Sequence, residues 1–559
     1  MQVMPLILIF DITMKTIRIL IPIAFLLAVA GCNNNTSTGK MTPRIPVYDS
    51  HGFPGHEHKA HKQEILDHQV VVKDGWLQPW MNYDTLLVWS MNFIIDGPQF
   101  EMPEGRLPGY IVTSSYGTYR AAYPEVLTED GLYHDRRVVN NQGSNAYFAM
   151  KLFRYYYPYT GDIRAMVPVR DFLDRMLMFP TPDDWAWPGM VRTQDNDDPD
   201  GIYLDERIES DKAAMVGVAY MDFATFTGEQ KYKAMADHIA ELLIKNIKEG
   251  SERQSPLPFR INMRTGEAED AYTSDMIFVV EFFDKILDSD TTLDKALVKA
   301  KRDLVFNWVM DYPVKNGLWS GYFEDIDSES LSNMNQFAPM ETARYLLNNP
   351  ETCKDYKQVV LDLLAFVKGR FGGTVRYGGV SICEQDVCFF EMSSHAARYG
   401  SVLARWAAET GCEQAKKEAL ATLALAEYSA CNHTSKGNIS VNSVGIEWYG
   451  IWYSDSYFDY LPHYLEGMAA WPEIIPEGTD HIFSTTCMLK DVQYAPGSVK
   501  YTALEPDGTE RIKLSFKPKV LSGGRPLPKS CWKYGKYRDC DNILTIKRKG
   551  VTDIEIVND

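Results

Sequence analysis

The sequence predicts a mainly α-helical chain, a closed ring of helical hairpins followed by a small C-terminal antiparallel β-domain. Three observations predict it. Segments with apolar helical periodicity come in pairs joined by short Gly- or Asn-containing turns. The turns recur at intervals of roughly 60 to 70 residues, longer than the usual two-helix solenoid unit. After Pro472 the texture changes to short, partly β-branched runs separated by Pro-Gly, Pro-Asp-Gly and Gly-Gly.

The hairpins follow one another in order. Asn145 to Tyr157 stops at Pro158-Tyr159-Thr160-Gly161-Asp162 and is followed by Ile163 to Met178. Ala213 to Phe226 stops at Thr227-Gly228-Glu229 before Lys231 to Ile247, and Met276 to Leu287 breaks at Asp288-Ser289-Asp290 before Leu293 to Trp308. Met340 to Leu347 breaks at Asn348-Asn349-Pro350 before Tyr356 to Val367, and Ala396 to Glu409 stops at Thr410-Gly411-Cys412 before Gln414 to Ala430. In most units glycine or asparagine supplies a left-handed C-cap and a polar residue caps the next helix. A sixth unit is expected from Tyr453 to Ala470 together with the N-terminal helix around Leu86 to Ile94, which would close the ring and bury both ends. An open solenoid would need polar capping repeats, and none is evident. Gln99 to Asp135, rich in Gly, Tyr and Pro, is read as a long loop without a convincing helix, walling one side of a cleft.

The β-domain is expected from Ile482 to Cys487, Val499 to Leu504, Arg511 to Phe516, Lys519 to Leu521 and Asn542 to Lys547. It holds no constellation of reactive residues, so its expected role is packing against the ring.

At the other end, Met14 to Arg18 is a basic n-region, Ile19 to Ala30 is apolar, and Val29-Ala30-Gly31-Cys32 ends the segment with small residues ahead of a cysteine. That is the pattern of a lipoprotein signal peptide, with translation expected to start at Met14 and Cys32 expected to carry the lipid. The apolar run is too short for a permanent membrane span. The expected organisation is therefore residues 1–32 as signal peptide, 33–82 as tether and N-terminal extension, 83–471 as the helical ring and 472–559 as the β-domain. The mature protein would be lipid-anchored, at the periplasmic face or the cell surface of an outer membrane.

The net charge of -18 argues against a nucleic-acid partner, because phosphate binding needs a basic footprint. Eight cysteines remain beside Cys32; Cys383 with Cys388 and Cys531 with Cys540 are near enough in sequence to pair, which the sequence leaves open. No cysteine spacing matches a zinc or redox site. His51, His56, His58, His61 and His68 lack H-E-x-x-H spacing and read as a solvated approach to the first helix. Asn196, Asp198, Asp200 and Gly201 imitate the opening of an EF-hand loop, but Arg207 stands where the closing glutamate belongs, so the loop is read as an acidic flap and no cofactor is expected, with calcium at this loop as the lesser alternative. No Walker loop, Rossmann fingerprint or G-x-S-x-G elbow occurs.

The chemistry is expected where the first helix of each hairpin begins. About 13 to 17 residues before each turn lies a polar cluster: Asn141 to Asn145, Glu209 to Lys212, Tyr272 to Asp275, Asn333 to Gln336, Glu391 to His395, and Tyr453 to Tyr457. Capping alone explains one Ser, Asp or Asn per helix. It does not call for Gln142, Gln336, His395 or the tyrosines, and in a closed ring these starts would converge on one mouth. Aromatics crowd the same neighbourhood, Trp185 and Trp187 before the second cluster and Trp448, Tyr449 and Trp452 before the sixth. Sugar rings lie against such side chains while their edges hydrogen-bond.

Thr-Gly-Asp/Glu turns, polar inner-helix starts, tryptophans and a lipoprotein signal together resemble the six-hairpin, (α/α)6-toroid glycosidases of Bacteroidetes-type polysaccharide-utilisation systems. In layout the chain is most similar to the β-glucuronidase and unsaturated glucuronyl hydrolase families. The resemblance spans roughly Tyr83 to Trp471 and implies a glycoside hydrolase acting on a polysaccharide or oligosaccharide, with uronic acids among the sugars it could contain. Such an enzyme needs two carboxyl groups, one as acid and one as base or nucleophile. Glu391, Asp455, Asp211 and Asp275 form the candidate set, with Glu206 beside them. Arg192, Asn335 and Gln336 are candidates for holding hydroxyl or carboxylate groups. The main rival is a polysaccharide lyase, in which Asn335, Gln336, His395, Tyr399, Tyr449 and His463 would neutralise a uronate and abstract its C5 proton. A third reading is a glycan-binding lipoprotein without turnover.

Overall fold

The computed structural model describes residues 70–97, 99–102, 105–112, 115–117, 139–196, 206–322, 331–387, 389, 391–428, 430–431, 440–441, 450–452 and 457–559. Twelve helices of ten residues or more lie among them. They are α1 (Tyr83–Asp96), α2 (Gln142–Thr160), α3 (Met166–Met178), α4 (Ser210–Thr227), α5 (Gln230–Asn246) and α6 (Ile277–Asp288). The remaining six are α7 (Lys295–Asp311), α8 (Phe337–Asn348), α9 (Tyr356–Phe371), α10 (Ser393–Thr410), α11 (Glu413–Glu427) and α12 (Leu461–Ala470).

Inner and outer helices differ in sequence for a physical reason. In α4 every residue from Ser210 to Phe223 is buried, so between its first turn and Asp222 it is apolar or small all round. Its outer partner α5 buries Tyr232, Ala236, Ile239, Ala240 and Leu243, the single stripe of an amphipathic helix. The inner helices pack in a cycle: α2 on α4, α4 on α6, α6 on α8, α8 on α10, α10 on α12, and α12 back on α2. Each of α3, α5, α7, α9 and α11 backs the inner helix before it. The first and last helices of the ring meet as expected, the Tyr83 ring of α1 lying 4.9 Å from Tyr464 of α12 and Phe93 stacking on Tyr457 at 5.0 Å. The ring is closed, an (α/α)6 toroid.

The three Thr-Gly turns work as one device. Gly161, Gly228 and Gly411 take the left-handed conformation and donate their N–H to Tyr157, Ala224 and Ala407, closing α2, α4 and α10. The preceding Thr160, Thr227 and Thr410 each bond the carbonyl four residues back. Glycine at position 217 is required for another reason, close approach of neighbouring inner helices. A Cβ there would sit 2.4 Å from Cζ of Phe282. Gly217→Ala is therefore expected to destabilise the ring by about 1–3 kcal/mol, outweighing the roughly 1 kcal/mol that alanine gains in helix propensity; the denaturant midpoint checks it.

Several boundaries differ from the sequence expectation. Four inner helices, α2, α4, α8 and α10, start three residues earlier than their apolar periodicity does, so Gln142, Asp211 and His395 stand in first turns rather than ahead of them, whereas α6 starts at Ile277 and α12 only at Leu461. Burial of the ring's mouth makes polar residues part of the buried surface there. The stretch from Gln99 is not bare loop. Gln99–Met102 and Gly105–Pro108 form a hairpin, Gly109–Val112 is a helical turn and Ser115–Gly117 pairs with Gly450–Trp452; residues 118–138 lie outside the described set. The end of the N-terminal extension is folded, Val71–Lys73 pairing with Trp76–Gln78 and Trp80 and Met81 donating their N–H to Glu427 of α11.

The C-terminal region is two antiparallel sheets with a shared core. Its strands are β1 (His481–Thr485), β2 (Leu489–Ala495), β3 (Ser498–Ala503), β4 (Gly508–Lys513), β5 (Pro518–Ser522), β6 (Arg525–Pro526), β7 (Trp532–Tyr537), β8 (Cys540–Arg548) and β9 (Asp553–Asn558). Their orders are β1-β4-β8-β7 and β2-β3-β9-β5-β6. Cys531 and Cys540 are free thiols: Trp532 pairs with Ile546 and Tyr537 with Cys540, so the two cysteines sit at opposite ends of one hairpin. Cys383 is buried in the strand Gly379–Cys383, and Cys388 lies outside the described residues. The sheets dock on the turn end of α2, where the His481 ring stacks on Tyr159 at 3.9 Å and the Tyr494 hydroxyl donates to the Pro158 carbonyl at 2.5 Å. They thus cover the end of the ring opposite the inner-helix starts.

Candidate active site

Strands and bridges in the outer-to-inner connections deliver each inner helix to the mouth. Arg207–Glu209 pairs with Arg260–Asn262 ahead of α4, and Glu391–Met392 pairs with Gly379–Cys383 ahead of α10. The helix starts then converge. Arg398 in α10 lies in the middle, its side chain 1% exposed, and joins three helices. Its guanidinium reaches Gln336 Oε1 at 3.2 Å and Glu341 Oε1 at 3.2 Å in α8 and its neighbour, His395 Nδ1 at 2.9 Å on its own helix, and the carboxylate of Asp459 before α12. The Phe337 ring supports it from 4.3 Å.

Asp275, at the entry to α6, is fully buried and neither carboxyl oxygen has a hydrogen-bond partner among the described residues. Burial, and then the charge of Asp211, push its pKa well above the ordinary range; Lys212 and Arg398 oppose this. Asp211 lives in the opposite environment. Its Oδ1 accepts the Lys212 N–H at 2.8 Å and its Oδ2 pairs with the Lys212 ammonium at 3.1 Å. That ammonium also donates to the Tyr322 carbonyl at 2.8 Å and lies 3.8 Å from the Tyr322 ring centroid. Two interacting carboxyl groups in unlike surroundings, one whose pKa burial raises and one paired with a lysine, are what acid–base work at one centre requires.

Further buried polar atoms lack partners among the described residues: Gln336 Nε2, His395 Nε2 and Ser274 Oγ. Unsatisfied groups of this kind are costly inside a fold and gather where a ligand will meet them. Burial, Arg398 and His463 hold the His395 pKa well below the usual histidine value, so its ring is neutral.

Beneath this floor lies a second layer of charge. Arg344 donates to Glu466 at 3.0 Å, Ser401 at 3.0 Å and His463 Nδ1 at 3.1 Å, and pairs with Glu341. Lys151 of α2 lies 3.6 Å from Glu341, and its burial lowers its pKa to about 8. Burial alone would raise Glu341, yet Arg344, Lys151 and Arg398 hold it at about 2.

The remaining sequence candidates fall elsewhere. Glu391 is partly exposed and accepts the N–H and hydroxyl of Thr374 at 2.6 and 2.7 Å, bound into its own hairpin. Glu391→Gln is expected to leave turnover within about twofold and stability within roughly 0.5 kcal/mol, as for a surface substitution; initial rates on any substrate found check it. Glu206 pairs with Arg264 at the rim. Asn335 caps α8, its Oδ1 accepting from Ala338 N–H at 2.9 Å and its Nδ2 donating to the Trp319 carbonyl at 3.1 Å. Trp187 is core. Trp185 stays partly exposed at the rim, with the guanidinium groups of Arg192 and Arg264 5.5 and 5.1 Å from its ring. Tyr399 points outward and donates to Glu418 at 3.2 Å. Asp455, Trp448, Tyr449, Cys32, the five N-terminal histidines and most of the EF-hand-like loop lie outside the described residues, as does the side chain of Trp452. No group of three His, Cys, Asp or Glu residues is placed to hold a metal ion among those described.

Arg398, Glu341, Arg344, Lys151, Asp459 and Glu466 were not singled out from the sequence. Their signal was present: His395 and Arg398, Glu341 and Arg344, Asp459 with His463 and Glu466 stand three or four apart on otherwise apolar helices, hence on one face.

The fold and this buried acid–base floor together define a helical toroid with a polar centre at its inner-helix starts. No protein-family model matches the chain, and no curated protein does. Among solved structures it is similar to a sugar epimerase from a ruminal bacterium, at 9% identity over 73% of this chain and 98% of that one, TM-score 0.46. It is similar also to cellobiose 2-epimerase from Bacillus thermoamylovorans B4167, at 11% identity over 64% and 92%, TM-score 0.43. Unsaturated glucuronyl hydrolase from Streptococcus agalactiae matches at 11% identity over 78% and 98%, TM-score 0.42.

Proposed function

We propose that this chain is a carbohydrate-active enzyme, a glycoside hydrolase in which Asp275 is the general acid and Asp211 the general base. One observation carries the reading: a wholly buried carboxyl group whose oxygens have no partner among the described residues, beside a second carboxylate compensated by lysine. In the reaction Asp275 gives its proton to the glycosidic oxygen as the C–O bond breaks. Asp211 takes a proton from the water that attacks the anomeric carbon. Trp185 at the rim offers a face for a sugar ring.

Hydrolysis is favoured over β-elimination by the surroundings of the possible bases. His395 and His463 both receive guanidinium donors on Nδ1, and Tyr399 is engaged with Glu418. The substrate is proposed to be a polysaccharide or oligosaccharide, and the chain to act while tethered through Cys32 to the periplasmic face or surface of an outer membrane. The mature chain incubated with plant, algal and host glycans should release new reducing ends without alkene absorbance. Alkene absorbance would replace the hydrolase reading by a lyase. Glycan affinity that is the same in the wild type and in Asp275→Asn, with no product from either, would leave only a binding protein.

A further inference from the structure

The arrangement around Arg398 says more than that the centre is polar. A guanidinium has five N–H donors, no acceptor, and stays charged. Its Nη1 carries two hydrogens and lies within reach of two atoms, Gln336 Oε1 at 3.2 Å and His395 Nδ1 at 2.9 Å. Both atoms must therefore accept. For the amide, this fixes which end is oxygen and turns Nε2 away from the arginine. For the imidazole, a lone pair at Nδ1 in a neutral ring places the proton on Nε2. The Ser394 hydroxyl, 3.4 Å from Nδ1, can donate to the same lone pair. Gln336 Nε2 and His395 Nε2 are also the two atoms of these side chains without a partner among the described residues.

We propose that Arg398 is a positioning residue that sets the polarity of the site, fixing Gln336 and His395 as a pair of obligate hydrogen-bond donors. The substrate group that meets them must then offer lone pairs, as a carboxylate, ring or glycosidic oxygen does. His395 is a donor to substrate and not a proton-abstracting base. His463 makes the contrast clear: Arg344 fixes it in the same way, but its Nε2 faces Asp459 Oδ1 at 3.4 Å, inside the protein. The inference concerns the tautomer at rest and holds whichever reaction the site performs.

Nitrogen NMR of the full mature chain labelled at histidine tests it, the His395 signals being assigned by their loss in His395→Gln. The wild type is expected to show an unprotonated Nδ1 and a protonated Nε2, constant across the pH range in which free histidine titrates. The charged groups around the ring are Arg398 on its own helix, Asp459 and His463 from the α12 side, and Glu341 from α8, which neutralises part of the arginine. Arg398→Lys keeps a donor-only group and should retain this pattern, whereas Arg398→Met should shift His395 toward mixed tautomers. A wild-type ring protonated at Nδ1, or one that titrates normally, overturns the proposal even if Arg398→Met does not fold. An unchanged tautomer in a folded Arg398→Met overturns it as well.

Discussion

Asparagine in place of Asp275 is expected to lower turnover by about a hundred- to ten-thousand-fold, the range that general acid catalysis contributes, while leaving the fold intact or more stable. Both halves follow from the same environment. An unfolded aspartate titrates near about 3.9, whereas burial and Asp211 raise the folded carboxyl well above that. Above the unfolded value, folding must keep or restore a proton that the unfolded chain has released. This destabilising contribution grows as pH rises toward the folded pKa and then levels off. The amide has the shape of the protonated acid and no such penalty. Thermal unfolding followed from acid to neutral pH should show the wild type losing part of its stability where Asp275→Asn does not. Rates of the two proteins at their own optimum give the catalytic half. A variant that keeps full activity, or that loses stability together with activity, would remove Asp275 from the role of acid.

The second large effect lies one layer down. Arg344→Leu is expected to destabilise the protein by about 3–5 kcal/mol, since removing one partner of a buried ion pair strands the other. Here two are stranded: Glu341 and Glu466 both depend on this guanidinium, with Lys151, Arg398, Arg405 and the His463 hydrogen bond left to compensate. Glu341 sits at about 2 in the folded chain. Its contribution is therefore complete above the ordinary glutamate pKa and is lost as pH falls from there toward about 2. Denaturant unfolding should show the variant weakened most at neutral pH, with the gap to wild type narrowing in acid. Equal stability of the two proteins at neutral pH would mean that the charge layer does not hold the inner helices together.

Much of this was legible along the chain. The Thr-Gly turns at Gly161, Gly228 and Gly411 marked hairpins because a left-handed cap is a local requirement, read from three or four residues. The change after Pro472 was legible for the same reason, although β2, β7 and β9 were missed, the lysines and tyrosines of β2 and β7 diluting the alternation. The early starts of the inner helices were not legible, because only a buried mouth makes polar residues such as Asp211 and His395 acceptable in a buried turn.

By itself the sequence determined that five polar clusters stand at the heads of five inner helices, the sixth, Tyr453 to Tyr457, lying mostly outside the described residues, and that Asp211 and Asp275 belong to two of them. It could not rank them against Glu391, since each is an acid near a helix start. Closing the ring decided that. It set Asp275 against Asp211 with no hydrogen-bond partner among the described residues, tied Glu391 to Thr374 in its own hairpin, and gave Arg398 three helices to join. Local rules act over one turn of helix, while the charge that a carboxyl group feels comes from whatever the fold brings within a few ångströms of it.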